Sequence, residues 1–363
     1  MPDDLPALHE RAVQLASRPL PETRPAATGR LQVSARDRAA VPLRHRFGLV
    51  LAGGAAKGAY HVGAVECLAQ HGLSIAAIAG TSIGALNGVT LAAAPSLREG
   101  AARLAGLWTD FTRSMGTPPF GSGTADGETT AQRLGNLGPR AIALLAARLP
   151  LEKLVDEAMD AAALRTGAHM RVAVYPVLPP APLPHMKVAQ QTSDWLMGLL
   201  GRRSRIMQLN GMSHHDIREA VLASAALPFL FKSRSLAGQF YRDGMLGRDN
   251  TPIRALADLD QCDIVIVIHL SPGELVKPVE HPGLTLLQVR PSRPLTPPGP
   301  LGTASGLLDF SPTTFQRLRE QGFADAERML DDISEVLRLT EQLRAAEAFM
   351  ADQVQRVLEN GNH

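Results

Sequence analysis

Short apolar runs alternate with helical patterns along the first regular part of the chain. The first predicted strand is FGLVLA, which begins at Phe47 and ends before the pair Gly53-Gly54. A helix is predicted next, because GAYHVGAVECLAQHG carries apolar residues at helical spacing and closes at Gly72. A second buried strand follows at IAAIAG, and a second helix at IGALNGVTLAAA. Strands that are apolar throughout and separated by helices indicate a parallel sheet covered on both faces.

The same pattern returns in the second half of the chain. Further strands are predicted at MRVAVYPVL, CDIVIVIHL and LTLLQVRPS, and a strand that runs into a turn is predicted at QFYRDG. A helix that begins at a serine cap is predicted at SHHDIREAVLASAAL. The sequence therefore predicts an α/β fold of three layers, in which a central, mostly parallel sheet is flanked by helices.

Three parts of the chain depart from this pattern. Residues 1–43 are rich in Pro, Arg and Ala without sustained periodicity, which is typical of a flexible tail. The main domain is expected to span residues 44–335, with a helical insertion at residues 96–163 that is a candidate lid. The insertion contains a long loop rich in Gly, Thr and Pro. Residues 336–363 are charged and predict a C-terminal helix.

Composition narrows the classes of function. Of the 363 residues, 45% are hydrophobic, which is enough for a sizeable core. The 37 basic and 35 acidic residues give a net charge of +2, so the chain lacks the broad basic field that nucleic acid binding requires. The two cysteines, Cys67 and Cys262, exclude a disulfide framework and favour a reducing compartment. Neither a metal nor a cofactor is expected, because the histidines and acids show no paired ligand spacing.

The sequence predicts neither a secretory signal nor a membrane span. The start MPDDLPALHERAVQ lacks the basic residues and the apolar run of a secretory signal. The stretch from Gly72 to Leu97 carries no charge, but Gly80, Gly84 and Gly88 interrupt its apolar run. We therefore expect a cytoplasmic protein, and no pattern specifies its oligomeric state.

The segment GTSIGALNG places Ser82 between two glycines at the spacing Gly80-x-Ser82-x-Gly84. Between a strand and a helix, this spacing is the pattern of a nucleophile elbow, a sharp turn that exposes a catalytic serine. A helix N-cap serine between two packing glycines is the structural alternative. A nucleophilic serine also needs a base that accepts its proton.

A second glycine cluster, Gly53-Gly54-Ala55-Ala56-Lys57-Gly58, follows the first predicted strand. It matches neither the dinucleotide pattern GxGxxG nor the Walker phosphate pattern. It leads into a helix N-terminus, where N–H groups and the helix dipole favour an anion. Beside a serine nucleophile, that anion would be the oxyanion of a tetrahedral intermediate. A close strand–helix turn without any ligand is the alternative.

Two kinds of residue could serve as the base. In the chain order Ser…Asp…His, the histidines that follow Asp243 are His269, His281 and His363. His269 ends a predicted strand and could lie at the edge of the sheet, although a structural hydrogen bond is the more usual role at such a position. The other candidate is Asp243 itself, which lies beside Gly244 at a strand end, where an ordinary Asp-Gly turn is the alternative.

Four segments, taken in this order and at this spacing, resemble the patatin-like phospholipase family: LAGGAAKGAYHVGAVECL, GTSIGALNG, AVLASAALPFLF and YRDGMLGRDNTP. The resemblance covers residues 46–331 and implies a patatin-like three-layer fold. It also implies a Ser–Asp dyad without a histidine, in which Ser82 is the nucleophile and Asp243 the base.

The resemblance further implies the roles of the glycine-rich turns. The implied oxyanion hole consists of Gly53, Gly54 and Ala55, with the helix start at Lys57 and Gly58. The glycines that support the two dyad motifs are Gly80, Gly84 and Gly244. The implied activity is hydrolysis of lipid carboxylic esters, of phospholipase A or lysophospholipase type, through an acyl-enzyme on the serine.

Two residues depart from the pattern of the family. Ala55 stands where the family usually has a third glycine, and a positive φ at this position would cost on the order of 1–2 kcal/mol. Met245 stands where a small residue usually follows the Asp-Gly pair, and it could narrow the site or shape an acyl channel. Two other functions stay open: a Ser–His–Asp esterase that uses His269, and a regulatory or binding protein on a patatin-like fold in which Ala55 and Met245 weaken the activity.

The segment DWLMGLLGRRSRIMQL, residues 194–209, joins apolar residues to three arginines. Such a combination is typical of an interfacial segment that contacts lipid. The resemblance implies a lipid or acyl ester substrate, and this segment is a candidate for peripheral membrane contact. A helix that packs on the core and ends in a solvated basic cluster is the alternative.

Overall fold

The computed structural model describes residues 46–115, 150–199, 202–228, 230–299, 303 and 306–335. The tail expected at residues 1–43 and the helix expected at residues 336–363 lie outside the described residues. The same is true of most of the long loop inside the insertion. The expected domain boundaries therefore stay predictions.

Eight strands of the described residues form one mixed sheet. They are β1 (Phe47–Leu51), β2 (Ala77–Gly80), β3 (His169–Val177), β4 (Arg205–Gln208), β5 (Arg234–Leu236), β6 (Gln239–Asp243), β7 (Ile264–Ile268) and β8 (Thr285–Val289). The order across the sheet is β5-β6-β3-β2-β1-β7-β8, and β4 pairs with β3 beside β6. The central strands β3, β2, β1, β7 and β8 are parallel, whereas β4, β5 and β6 add antiparallel pairs at one side. The prediction of a mostly parallel sheet flanked by helices is confirmed.

The helices follow the predicted alternation with strands. They are α1 (Ala59–Gln70), α2 (Ile83–Ala92), α3 (Leu97–Ser114), α4 (Leu151–Ala158), α5 (Ala161–Leu164), α6 (Pro184–Leu199), α7 (His214–Ser224) and α8 (residues 312–335). The serine cap predicted for α7 is present, because the Ser213 side chain accepts a hydrogen bond from the N–H of Asp216. None of the helices in the described part of the chain combines the length and the apolar content that a membrane span requires.

The central strands are buried on both faces. Leu49 and Leu51 belong to the larger core, which also contains the apolar residues of α1, α2 and α3. Val50 lies between them in sequence and belongs to a second core with Ile253 and Leu256. Because side chains alternate between the faces of a strand, these two cores are the two covered sides of the sheet. The apolar runs in the sequence are therefore continuous because these strands are buried on both faces, as expected.

The insertion expected at residues 96–163 has two different roles in its described parts. Helix α3 is a core helix, because Leu104, Trp108 and Phe111 are buried. The Trp108 ring stacks on Phe310, with ring centroids 6.0 Å apart. Helix α4 instead lines the cavity described below. A lid role, as expected for the whole insertion, therefore stays a prediction that concerns α4 and not α3.

Strand register brings the two dyad motifs to the same level of the sheet. Gly80 in β2 pairs with Val172 in β3, and Ser82 follows Gly80 by two residues. Asp243 in β6 pairs with Val174, which is two residues beyond Val172. Since β3 lies between β2 and β6, Ser82 and Asp243 come to similar heights on its two sides.

Candidate active site

Ser82 lies in a sharp turn between β2 and α2. Its backbone has φ 56° and ψ −122°, a conformation that residues with a side chain rarely adopt. The flanking glycines are required by close backbone packing. A Cβ atom on Gly80 would overlap the Gly84 carbonyl, and one on Gly84 would overlap the Leu51 carbonyl. The spacing of the motif thus has a physical cause, and Ser82 occupies a strained elbow rather than an ordinary N-cap.

A hydrogen bond from a third element holds this strained turn. The N–H of Ser82 donates to the Ser224 hydroxyl at 2.8 Å, and that hydroxyl donates to the carbonyl of Ala173 in β3, also at 2.8 Å. Ser224 is fully buried at the end of α7. Two residues further on, the carbonyl of Ala226 accepts the N–H of Asp243 at 3.3 Å. The end of α7 is therefore connected to both dyad candidates.

Asp243 is a buried carboxyl that is only partly hydrogen-bonded. Its Oδ1 accepts the N–H of Met245 at 2.9 Å, whereas Oδ2 has no hydrogen bond of normal geometry among the described residues. Burial raises the pKa of Asp243 to about 7, and the interactions with the Met245 N–H and the Ser82 hydroxyl act in the opposite direction. The Ser82 hydroxyl is thus next to the carboxyl, which has an open oxygen and a pKa suited to proton transfer near neutral pH.

This pKa predicts how activity depends on pH. A base must be ionised, and the fraction of ionised Asp243 falls as the pH decreases through about 7. Below that value we expect kcat/KM to decrease about tenfold per pH unit, and above it to level off. Initial rates on a neutral, water-soluble ester between pH 4 and 9 would measure this decrease, the acidic limb of the pH profile. A midpoint near the ordinary Asp value of about 4 would contradict the assignment of the limb to Asp243.

The glycine cluster after β1 contains both occupied and open N–H groups. The N–H of Gly53 is occupied by Asn250, through its side-chain oxygen at 3.0 Å and its carbonyl at 3.2 Å. The N–H groups of Ala56 and Lys57 donate to the carbonyls of Leu307 and Gly54. The N–H groups of Gly54 and Ala55 have no acceptor within the described residues. Of the donors named from the sequence, these two are therefore open to an oxyanion.

The backbone of the glycine cluster is held in a strained conformation at Ala55, by packing at Gly58 and by the side chain of Lys57. Ala55 has φ 49°, so it adopts the positive φ considered from the sequence, at a cost of about 1–2 kcal/mol. A Cβ atom on Gly58 would overlap Ile83, so this glycine is required by packing against α2. The Lys57 ammonium donates to the Leu270 carbonyl at 2.9 Å, and burial lowers its pKa. Lys57 therefore fixes the turn through its side chain.

A narrow apolar cavity of about 120 Å³ lies against the serine. Ser82 and Ala55 form part of its wall, and the other lining residues are Ile83, Leu86, Leu151, Val155, Leu222, Ala225, Leu227, Leu230, Phe231, Leu307, Leu308 and Phe310. Met245 does not line this cavity, and its side chain is 44% exposed. The expectation that Met245 shapes an acyl channel therefore does not apply to this cavity, because the side chain points to solvent.

The histidines named from the sequence do not contact Ser82 among the described residues. His269 is fully buried, and its Nε2 lies 2.9 Å from Oε1 of Gln288, while its Nδ1 lies 4.0 Å from Glu274. The contact with Gln288 is a structural hydrogen bond, which is the usual role of a histidine at such a strand end. His281 follows a short 3-10 turn before β8, and His363 lies outside the described residues.

Sequence reasoning missed the roles of Ser224 and Asn250. Both lie in segments that carry the family resemblance, but their sequence neighbours do not indicate their contacts, which are made with residues 142 and 197 positions away. Within the described residues, no group of three or more His, Cys, Asp or Glu side chains could hold a metal ion.

A family model described as patatin-like phospholipase matches residues 49–257. This match covers more than half of the chain and includes every dyad and oxyanion candidate. The chain belongs to the patatin-like phospholipase family. The resemblance inferred from the four motifs is thereby confirmed, and membership supports lipid ester hydrolysis as the activity of this patatin-like chain.

Two bacterial proteins are among the solved structures that are similar to this chain. VipD from Legionella pneumophila is 13% identical with a TM-score of 0.41, and the alignment covers 79% of this chain and 67% of VipD. The type III effector protein ExoU is 16% identical with a TM-score of 0.36, and the alignment covers 78% of this chain. The patatin-like chain spans about half of ExoU, at 53% of its length. No curated protein sequence gives a significant match.

Proposed function

We propose that the protein hydrolyses carboxylic esters of lipids through a Ser82–Asp243 dyad and an acyl-enzyme intermediate. The observation that carries the proposal is the pairing of a strained serine turn with a buried carboxyl that has one open oxygen and a pKa raised to about 7. An aspartate in water is too weak a base for a hydroxyl, and burial removes much of that mismatch.

In the first half of the reaction, ionised Asp243 takes the proton of the Ser82 hydroxyl as Oγ attacks the ester carbonyl carbon. The carbonyl oxygen becomes an oxyanion, which we assign to the open N–H groups of Gly54 and Ala55. When the tetrahedral intermediate collapses, the bond to the alcohol breaks and protonated Asp243 returns the proton to the leaving alkoxide. The products of this half are the free alcohol and an acyl ester on Ser82.

In the second half, water replaces the alcohol. Asp243 takes a proton from the water as its oxygen attacks the acyl carbonyl, and the same two N–H groups hold the second oxyanion. Collapse breaks the bond to Ser82 Oγ, which recovers the proton from Asp243. The free fatty acid leaves, and the dyad returns to its starting protonation state.

The apolar cavity supports a lipid acyl chain as the group that is transferred. Its wall is apolar apart from the serine, so it offers no partner for a polar or charged acyl group. Leu151 and Val155 of α4 contribute to this wall, and we propose α4 as the part of the insertion that moves when a chain enters. A lipid substrate also implies contact with a membrane, for which residues 194–209 are the candidate segment from the sequence.

Labelling of Ser82 tests the proposal. We expect a fluorophosphonate probe to label the folded protein, the Ser82→Ala variant to remain unlabelled, and the exposed-site control Ser74→Ala to react like the parent. The His269→Ala variant should keep both labelling and turnover within about threefold, because His269 is not in the dyad. Loss of turnover in a folded His269→Ala protein would favour a Ser–His–Asp esterase, and an inert Ser82 would exclude a serine hydrolase.

The parent protein and the Ser82→Ala variant can also be used to identify which class of ester is hydrolysed. Release of fatty acid from a phospholipid, a lysophospholipid and a short acyl ester should be compared at equal concentrations. We expect all hydrolysis to disappear in Ser82→Ala, which links the measured activity to this site.

A further inference from the structure

The exposed large apolar side chains of this protein are concentrated around α6. Nine such side chains are found among the described residues, and six of them lie in the segment 178–197 or in the turn after Asp243. These six are Leu178, Leu183, Met186, Leu196, Met197 and Met245. Exposed apolar groups scattered singly need no explanation, but a cluster of this kind indicates an interaction surface.

Hydrogen bonds hold the first part of this cluster in place. Gln190 of α6 accepts the N–H of Ala181 at 2.8 Å and donates to the carbonyls of Leu178 and Pro179 at 3.0 and 2.9 Å. The loop before α6 is thereby fixed against the helix. Met186 and Met197 are eleven residues apart, close to three helical turns, so they lie on one face about 16 Å apart.

The exposed charges at the end of the segment 178–205 are of one sign. Asp194 is the one acidic residue between positions 178 and 205, and it is buried with its carboxylate 3.8 Å from the Arg242 guanidinium. The exposed charges at the end of the segment are Arg202, Arg203 and Arg205. Exposed apolar residues next to arginines, without an exposed acid, match the acyl region and the phosphates of an anionic lipid surface.

The segment 194–209 is not the single element expected from the sequence. It is divided between the end of α6 and strand β4, and Ser204 and Met207 within it are buried. Strand pairing with β3 explains this division, because alternate residues of β4 must face the core. The apolar contribution therefore comes from α6 and its preceding loop, and the basic contribution from the approach to β4.

This surface is joined directly to the turn that carries the base. The Ser204 hydroxyl donates to the Gly244 carbonyl at 2.6 Å, and the Ser204 N–H donates to Asp249 at 3.1 Å. At the end of α6, Gly198 packs so closely on Leu246 that a Cβ atom would overlap its carbonyl. A lipid surface in contact with α6 would therefore lie beside the Asp243 turn.

We propose that the α6 surface, defined as Leu178, Leu183, Met186, Leu196, Met197 and Met245 with Arg202, Arg203 and Arg205, docks the protein on an anionic phospholipid bilayer. This inference rests on the proposed function, because docking brings bilayer esters to the dyad. A membrane fits better than a folded protein partner, because the face combines flexible apolar side chains with arginines over a length of about three helical turns.

Vesicle co-sedimentation tests the docking surface with the full chain. The vesicles are pure phosphatidylcholine and an equimolar mixture of phosphatidylcholine and phosphatidylglycerol. The variants are Leu196→Ser/Met197→Ser and Arg202→Gln/Arg203→Gln, and the matched control is Leu275→Ser/Val279→Ser, which changes two exposed apolar residues outside the surface. Hydrolysis of a water-soluble short acyl ester reports separately on the active site.

We expect the parent and the control to bind the anionic vesicles. Each variant of the α6 surface should bind them at least about fivefold more weakly. Hydrolysis of vesicle phospholipid should fall in parallel, while hydrolysis of the soluble ester stays within about twofold. Equal binding by parent and variants, equal binding to both vesicle types, or self-association through this face in sedimentation velocity would each overturn the proposal. If the parent binds vesicles but cleaves no ester, the proposed activity fails and the docking surface stands.

Discussion

Replacing Asp243 with Asn should reduce kcat by roughly 10³-fold or more while the protein remains folded. Asparagine keeps the oxygen that accepts the Met245 N–H but cannot take a proton from Ser82. The buried turn is therefore expected to keep its geometry and to lose only the carboxylate that we propose as the base. Initial rates on a short acyl ester and on a phospholipid measure the effect, and Ser82→Ala should show a loss of similar size.

Stability separates this loss of activity from unfolding. The pKa of Asp243 is raised from 3.8 to about 7 in the folded protein, so the parent loses stability as the pH rises through this range. The Asp243→Asn variant has no buried carboxyl to ionise, and at pH 8 its melting temperature should equal or exceed that of the parent. Asp258→Asn, at an exposed acid, should change neither activity nor melting temperature. Unchanged kcat in a folded Asp243→Asn protein would exclude the dyad.

Replacing Ser224 with Ala should reduce kcat by about 10- to 100-fold with little change in KM. The substitution removes the acceptor of the Ser82 N–H and the donor to the Ala173 carbonyl, and both groups are buried. Leaving such groups unpaired costs about 1–3 kcal/mol each. The strained backbone conformation of Ser82 depends on its surroundings, so we expect the loss to displace this turn first. The rate of fluorophosphonate labelling of Ser82 should fall with kcat.

The control for Ser224 lies on the same helix. Ser213 caps the opposite end of the 11-residue helix α7 through the N–H of Asp216 at 3.1 Å, about 16 Å along the helix axis from Ser224. Ser213→Ala should lower the free energy of unfolding by about 1 kcal/mol and leave kcat unchanged. If Ser224→Ala likewise lost stability without losing kcat or labelling rate, Ser224 would have a structural role only.

The central sheet could be predicted from the sequence because its strands are buried on both faces. Strands β1, β2, β7 and β8 follow continuous apolar runs, and the helices between them have clear spacing. The short strands β4 and β5 could not be predicted in the same way. They have four and three residues, and they become strands through pairing with β3 and β6. Tertiary pairing therefore decides their structure.

Only the local parts of the candidate site could be predicted from the sequence. The turns around Ser82 and Asp243 depend on local glycines, so their sequences indicate them. The hydrogen bonds of Ser224 and Asn250 join residues that are distant in sequence, and no local pattern could assign them. The same holds for the oxyanion donors, because only the contact with Asn250 shows that the N–H of Gly53 is already occupied.

The position of β7 has a consequence for where this protein could be shortened. The family model ends at residue 257, yet β7 begins at Ile264 and pairs with all five residues of β1 in the middle of the sheet. A chain cut after residue 257 would leave one side of β1 without hydrogen-bond partners and would remove Leu307, Leu308 and Phe310 from the cavity wall. The stretch that matches the family model is therefore smaller than the sheet to which it belongs, and residues beyond it are part of the same packed body.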